Sequence, residues 1–219
     1  MPNPIFFPSL ISSINQLESQ LAEIPRSRRE ELQKLGDYIV SSKDAHRKVQ
    51  LLFVCTHNSR RSHIAQVWAH TFAQYYGISD VYSYSGGTES TAFNANAVAA
   101  LTRCGFEITD DHTYKNNPRY RVSPGSGSED IICYSKRFNE PPNPEVNFAA
   151  IMVCSDADEN CPVIPGVENR ISLPYEDPKN YDGTSEQDDQ YDLTCRAIGK
   201  ELLLSFKTAS ERIKANAVG

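Results

Sequence analysis

A three-layer α/β architecture, a parallel sheet with helices on both faces, follows from three observations on this 219-residue chain. Short apolar runs of strand length stand at Val49 to Val54, Val81 to Ser85 and Ala149 to Val153. Between them lie stretches whose apolar residues recur at helical spacing, and strands that alternate with helices build parallel sheets. Two of the strands also run into a cysteine, Cys55 and Cys154. Open α/β sheets bind ligands at the carboxyl ends of their strands, so both thiols are expected at one site.

Taken in order, residues 1 to 45 read as a helical N-terminal extension. Leu10, Ile11, Ile14, Leu17, Leu21 and Ile24 recur at helical spacing and Pro25 breaks the run. Ser27 with Glu30 has the spacing of a capping box for a second helix carrying Leu32, Leu35 and Ile39. A lone helix needs a surface on which to bury such a stripe, so the extension is expected to pack on the domain that follows; a homodimer contact is the alternative. That domain spans 46–219. After its first strand comes an amphipathic helix, Ser62 to Tyr76, bearing Ile64, Ala65, Trp68 and Phe72. The strand at Val81 to Ser85 is expected to end in a turn at Gly86 and Gly87, followed by a helix from Asn94 to Arg103 that Gly105 stops. Residues 114–147 are rich in Pro, Gly and Ser and read as a mobile insertion with one short strand, Asp130 to Tyr134. A short apolar stretch near Ile171 and a closing helix from about Ser185 to Lys214 complete the chain.

The run Cys55-Thr56-His57-Asn58-Ser59-Arg60-Arg61-Ser62 joins the first strand to its helix. Successive N–H groups of a tight loop, with the positive end of a helix, converge on a point that suits an anion. Cys55 stands at that point. The same field favours thiolate over thiol, and a Ser62 hydroxyl could donate to the sulfur. Arg61 supplies a planar fork able to hold two oxygens of a tetrahedral oxyanion while the sulfur attacks the central atom. A buried strand-end thiol beside a solvated arginine is the bland reading; the order strand, anion loop, helix argues against it.

Cys154 and Cys161 follow the next strand, seven positions apart, and suggest redox work. In a helix of two turns their Cα atoms would stand about 10 Å apart, whereas a disulfide needs them within about 7 Å. Ser155, Asp156, Asp158 and Asn160 favour turns, so the segment could open to close that pair. A metal site is not expected, because no Cys-x-x-Cys occurs and the five histidines are scattered. Asp177, held before Pro178, is a candidate general acid for the departing oxygen. Cys104, Cys133 and Cys195 read as small packing residues.

Together, Cys55, Arg61, Ser62, the Cys154 to Pro162 segment and Asp177 resemble the low-molecular-weight protein tyrosine phosphatase fold family, and most closely its thioredoxin-coupled arsenate reductases. The resemblance covers Val49 to about Arg212. It implies a phosphatase-like catalytic domain that binds arsenate or a phosphate-like oxyanion on the Thr56 to Ser62 loop, with Cys55, Arg61, Asp177, Cys154 and Cys161 as the catalytic set. It also implies a thiol relay with no bound cofactor and thioredoxin as external reductant; hydrolysis of phosphate monoesters through a Cys55 phosphoenzyme is the alternative. Two positions depart from the family pattern. His57 stands where the loop usually has Gly, so it must accept that backbone geometry or reshape the loop. Arg60 stands where Cys is frequent, and its side chain is expected to point to solvent rather than to the anion.

The net charge of −6, with no basic run, argues against nucleic acid and anionic membranes as partners. No stretch has the apolar length of a transmembrane span and no signal pattern opens the chain, so a cytoplasmic protein is expected. Six cysteines without a dense framework fit a reducing compartment.

Overall fold

The computed structural model describes residues 5–111, 113–155, 157 and 163–217. Helix α1 (Pro8–Ser19) starts on a proline whose fixed φ suits a first helical position, and it buries Leu10, Ile14 and Leu17. Helix α2 (Arg26–Asp44) buries Leu32, Leu35 and Ile39. Its start differs from the expected capping box. Pro25 occupies the N-cap position, no side chain caps the helix, and Glu30 pairs with Arg26 instead. A proline boundary already fixes the backbone there, which leaves Ser27 inside the first turn.

The central sheet is parallel, in the order β2 (Val81–Gly87), β1 (Val49–Cys55), β6 (Phe148–Met152), β7 (Val167–Ser172). Every residue of β6 is buried, as is all of β1 except Gln50, as expected of strands covered on both faces. Helix α3 (Arg61–Tyr75) packs on β1 and β2, and α2 on β1 and β7. Helix α5 (Gln187–Asn216) touches both of these helices, α1, and α4 (Ala95–Arg103). The α1 and α2 stripes belong to the same apolar core as β1 and β6, so the extension packs on the domain. No described helix is long and apolar enough to cross a membrane.

Two expectations change. Gly86 and Gly87 are not a turn but the last residues of β2, paired with Val54 and Cys55. A Cβ at Gly87 would stand 2.6 Å from the carbonyl oxygen of Thr56 and 2.7 Å from the nitrogen of Asn58, so the missing side chain lets the anion loop lie against the strand. The insertion holds two strands rather than one. β3 (Glu107–Asp110), β4 (Tyr120–Ser123) and β5 (Ile131–Cys133) form a separate antiparallel sheet, and Ser135 and Lys136 beyond it bind His57 and Asn58 in the loop after β1.

Candidate active site

The loop between β1 and α3 is shaped by Asn58, which is fully buried with φ of 45°. Its side-chain amide donates to Ser62 Oγ at 2.9 Å, and its carbonyl oxygen accepts from the Lys136 N–H at 2.8 Å. Positive φ therefore falls on Asn58, a residue that tolerates it, and not on His57. His57 keeps an ordinary backbone, its ring half exposed and 3.7 Å from Glu89. Its carbonyl oxygen accepts from the hydroxyls of Thr91 and Ser135. Ser59 is tied by its hydroxyl to the Ala92 carbonyl and by its own carbonyl to the Asn94 N–H. Among the described residues, the N–H groups of His57, Asn58, Ser59 and Arg60 donate no hydrogen bond. These amides are free for an anion.

Cys55 lies at the carboxyl end of β1, buried, with Sγ 3.1 Å from Ser62 Oγ. Cys154 lies just past the end of the neighbouring strand, where the Val153 N–H donates to the carbonyl of Val54 at 2.9 Å. Its sulfur is 3.6 Å from Thr56 Oγ1, one residue from Cys55, and accepts the Ala157 N–H at 3.4 Å. Cys161 lies outside the described residues, as do most of the residues that separate it from Cys154.

Arg61 is buried at the start of α3. One terminal nitrogen donates to the Tyr175 carbonyl at 2.7 Å and the other to Asp177 Oδ2 at 2.6 Å. The remaining Asp177 oxygen accepts from the Lys179 N–H, capping a short 3-10 turn at Pro178–Tyr181. The fork and the acid named from the sequence are thus brought together and face each other. Arg60 departs from expectation. Its side chain neither reaches solvent nor turns to the loop, but donates to Tyr191 Oη at 2.8 Å and pairs with Asp182 at 3.4 Å. Tyr191 in turn donates to Asp182, so a three-residue network anchors the loop to the start of α5.

Sequence reasoning missed the support beneath the loop. His63 is fully buried, stacked on Phe93 with ring centres 4.2 Å apart and bonded through Nδ1 to Ser85. Burial drives its pKa well below 6.5, so it stays neutral. Lys136 is buried as well, its ammonium 3.3 Å from the Tyr134 carbonyl and 4.7 Å from the Tyr134 ring, and burial brings its pKa down to about 8. Nothing in the local sequence marks a buried lysine, whose backbone is held by Asn58 and Gly87 from distant parts of the chain.

No family model matches this chain. Curated relatives do. The arsenate reductase of Bacillus subtilis strain 168 is 30% identical over 137 residues, covering 63% of this chain and 79% of that protein. That of Bacillus licheniformis is 28% identical over 144 residues, covering 64% and 81%. Among solved structures, a low-molecular-weight phosphotyrosine phosphatase from Vibrio cholerae aligns with a TM-score of 0.48 at 13% identity, over 78% of this chain and 99% of that one. An arsenate reductase in a phosphate-binding state aligns at 0.43 and 18% identity, over 75% and 98%. With a Cys55 to Arg61 anion loop between a parallel strand and its helix, and 30% identity across most of the Bacillus subtilis protein, this chain belongs to the arsenate reductases of the low-molecular-weight protein tyrosine phosphatase fold family.

Proposed function

We propose that this protein reduces arsenate to arsenite through a relay of Cys55, Cys154 and Cys161 that thioredoxin recycles. The observation that carries the reading is the second buried thiol, Cys154, beside Thr56 at the mouth of the nucleophile's strand. Its relatives named arsenate reductase support the substrate. In the first step the oxyanion takes the loop amides from Thr56 to Ser62 and competes with Asp177 for the Arg61 fork. Cys55 attacks arsenic, an As–S bond replaces an As–O bond, and the oxygen leaves as water with a proton from Asp177. Cys154 then attacks the Cys55 sulfur. The S–S bond forms, the As–S bond breaks, and its electron pair stays on arsenic, which departs as arsenite. Cys161 next attacks Cys154, freeing Cys55 and passing the disulfide outward to thioredoxin. The chemistry calls for no metal or bound cofactor, and a thioredoxin-dependent cycle suits the reducing cytoplasm.

Phosphate-monoester hydrolysis is the second reading, since Arg61 and Asp177 serve a phosphoenzyme equally well. Arsenate and p-nitrophenyl phosphate, assayed side by side with and without thioredoxin and its reductase, separate the two. The relay requires that Cys154→Ser and Cys161→Ser abolish arsenate turnover yet leave ester hydrolysis within about threefold of wild type, because water resolves that intermediate. Peptide mapping after one turnover should find Cys55–Cys154 trapped in the Cys161→Ser protein. Arsenate reduction at the wild-type rate in both serine variants would sink the relay.

A further inference from the structure

Cys104 and Cys195 lie away from the site described above. Cys104 caps the end of α4 and Cys195 sits on α5, with the two sulfurs 3.6 Å apart. Cys104 lines a cavity of about 100 Å³ whose wall also includes Trp68, Arg103, Asp192 and Arg196. Cys195 is fully buried behind it. The two thiols are unlike. The hydrogen bond from Cys195, aided by Arg196 and Arg103, lowers the pKa of Cys104, while Cys104 and burial raise that of Cys195.

We propose that Cys104 and Cys195 form a two-thiol chelate for a trivalent, thiophilic arsenical entering through the cavity. Two sulfurs bound at about 2.3 Å to one soft pyramidal atom, at an angle of about 100°, stand roughly 3.5 Å apart, whereas a disulfide holds them at about 2.05 Å. The observed 3.6 Å fits a bridging atom with little movement of either helix. A structural metal fits poorly. Zinc takes four ligands, and among the described residues no three His, Cys, Asp or Glu side chains stand together. A pyramidal trivalent arsenic needs only two thiolates and one retained hydroxyl. Capture changes no oxidation state: at each thiol an As–S bond forms, an As–O bond breaks, and the thiol proton leaves with the hydroxyl as water. The choice of arsenite as the natural ligand rests on the proposed reduction, which would release it; the chelate itself does not.

The test removes the relay thiols. A Cys55→Ser, Cys154→Ser, Cys161→Ser protein retains Cys104, Cys195 and the lone buried Cys133. Incubated with phenylarsine oxide or with arsenite, it should carry one arsenical per chain by native mass spectrometry. Adding Cys104→Ala or Cys195→Ala should weaken binding by about 10²-fold or more, because the second bond is intramolecular. If the triple variant does not fold, wild type gives the same answer by peptide mapping. There, phenylarsine oxide should block alkylation of Cys104 by N-ethylmaleimide, and should fail to do so in Cys195→Ala. A folded triple variant that binds nothing, or an adduct that survives both single substitutions, overturns the proposal. Binding is read without turnover, so loss of the arsenate reductase reading would leave this result standing.

Discussion

Asn58 combines two properties that no other side chain supplies together, a tolerated positive φ and an amide that donates to Ser62 while accepting from Lys136. Glycine would keep the backbone and lose both bonds; alanine would lose the bonds and add strain. Asn58→Gly should therefore cost about 2 kcal/mol of stability and Asn58→Ala about 1 kcal/mol more, by urea unfolding. Equal stabilities of the two variants would show that backbone strain plays no part. Lys136, on the other side of that bond, titrates with a definite sign. Its pKa is near 8 when folded and 10.5 when not, so the buried ammonium costs the fold most below pH 8. Between those values the unfolded chain holds more protons and stability rises with pH. Lys136→Met should gain up to roughly 3 kcal/mol at pH 7 and less than about 1 kcal/mol at pH 10. An unchanged gain at both pH values would mean that the ammonium is not the cause. At this scale the sequence singled out Cys55, Arg61, Asp177 and Cys154 as candidates, and the structure gathers Cys55 with Cys154 and Arg61 with Asp177, because strand, loop and helix order is local information. Asn58, His63 and Lys136 stayed hidden, since their roles depend on partners 4 to 78 positions away.

The segment from Pro174 to Asp177 is gripped by two helices. Arg61 on α3 holds the Tyr175 carbonyl and Asp177. Arg28 on α2 donates to the Pro174 carbonyl at 3.1 Å, lies 4.9 Å over the Tyr175 ring, and pairs with Glu201 of α5 at 2.8 Å. The N-terminal extension thus reaches the loop that carries Asp177, the proposed acid. Arg28→Met should lower kcat about tenfold, with KM nearly unchanged, because a displaced acid slows bond breaking more than binding. A shift confined to KM would assign Arg28 to binding instead. Element boundaries were legible where a pattern was long, as in α3 and α5, and where Asn94 caps α4 by accepting from Asn96 and Ala97. The insertion was not. Strands β4 and β5 are four and three residues long, too short for alternation to declare them, and they exist because each finds a partner.

Across the whole molecule, α5 is the element on which α1, α2, α3 and α4 all rest. Gly199 marks the tightest crossing: a Cβ there would meet the Trp68 ring at 2.8 Å and Leu17 Cδ1 at 3.0 Å. Both neighbours are fully or almost fully buried, so neither can yield freely. Gly199→Ala should destabilise the protein by about 1–3 kcal/mol in spite of alanine's better helix propensity, read as a lowered Tm. A raised Tm would show slack between α1, α3 and α5. The parallel sheet was predictable from strand order, but not this convergence, because no sequence pattern says which helix another will cross.

That arrangement has a consequence for synthesis. Leu10, Ile14 and Leu17 leave the ribosome well before the helix that covers them, and the Phe7 N–H waits for the carbonyl of Pro124. At about 5–20 residues per second, the interval from α1 to α5 is on the order of ten seconds or more. Through that interval the nascent chain holds an uncovered apolar helix, and the core closes only when α5 arrives.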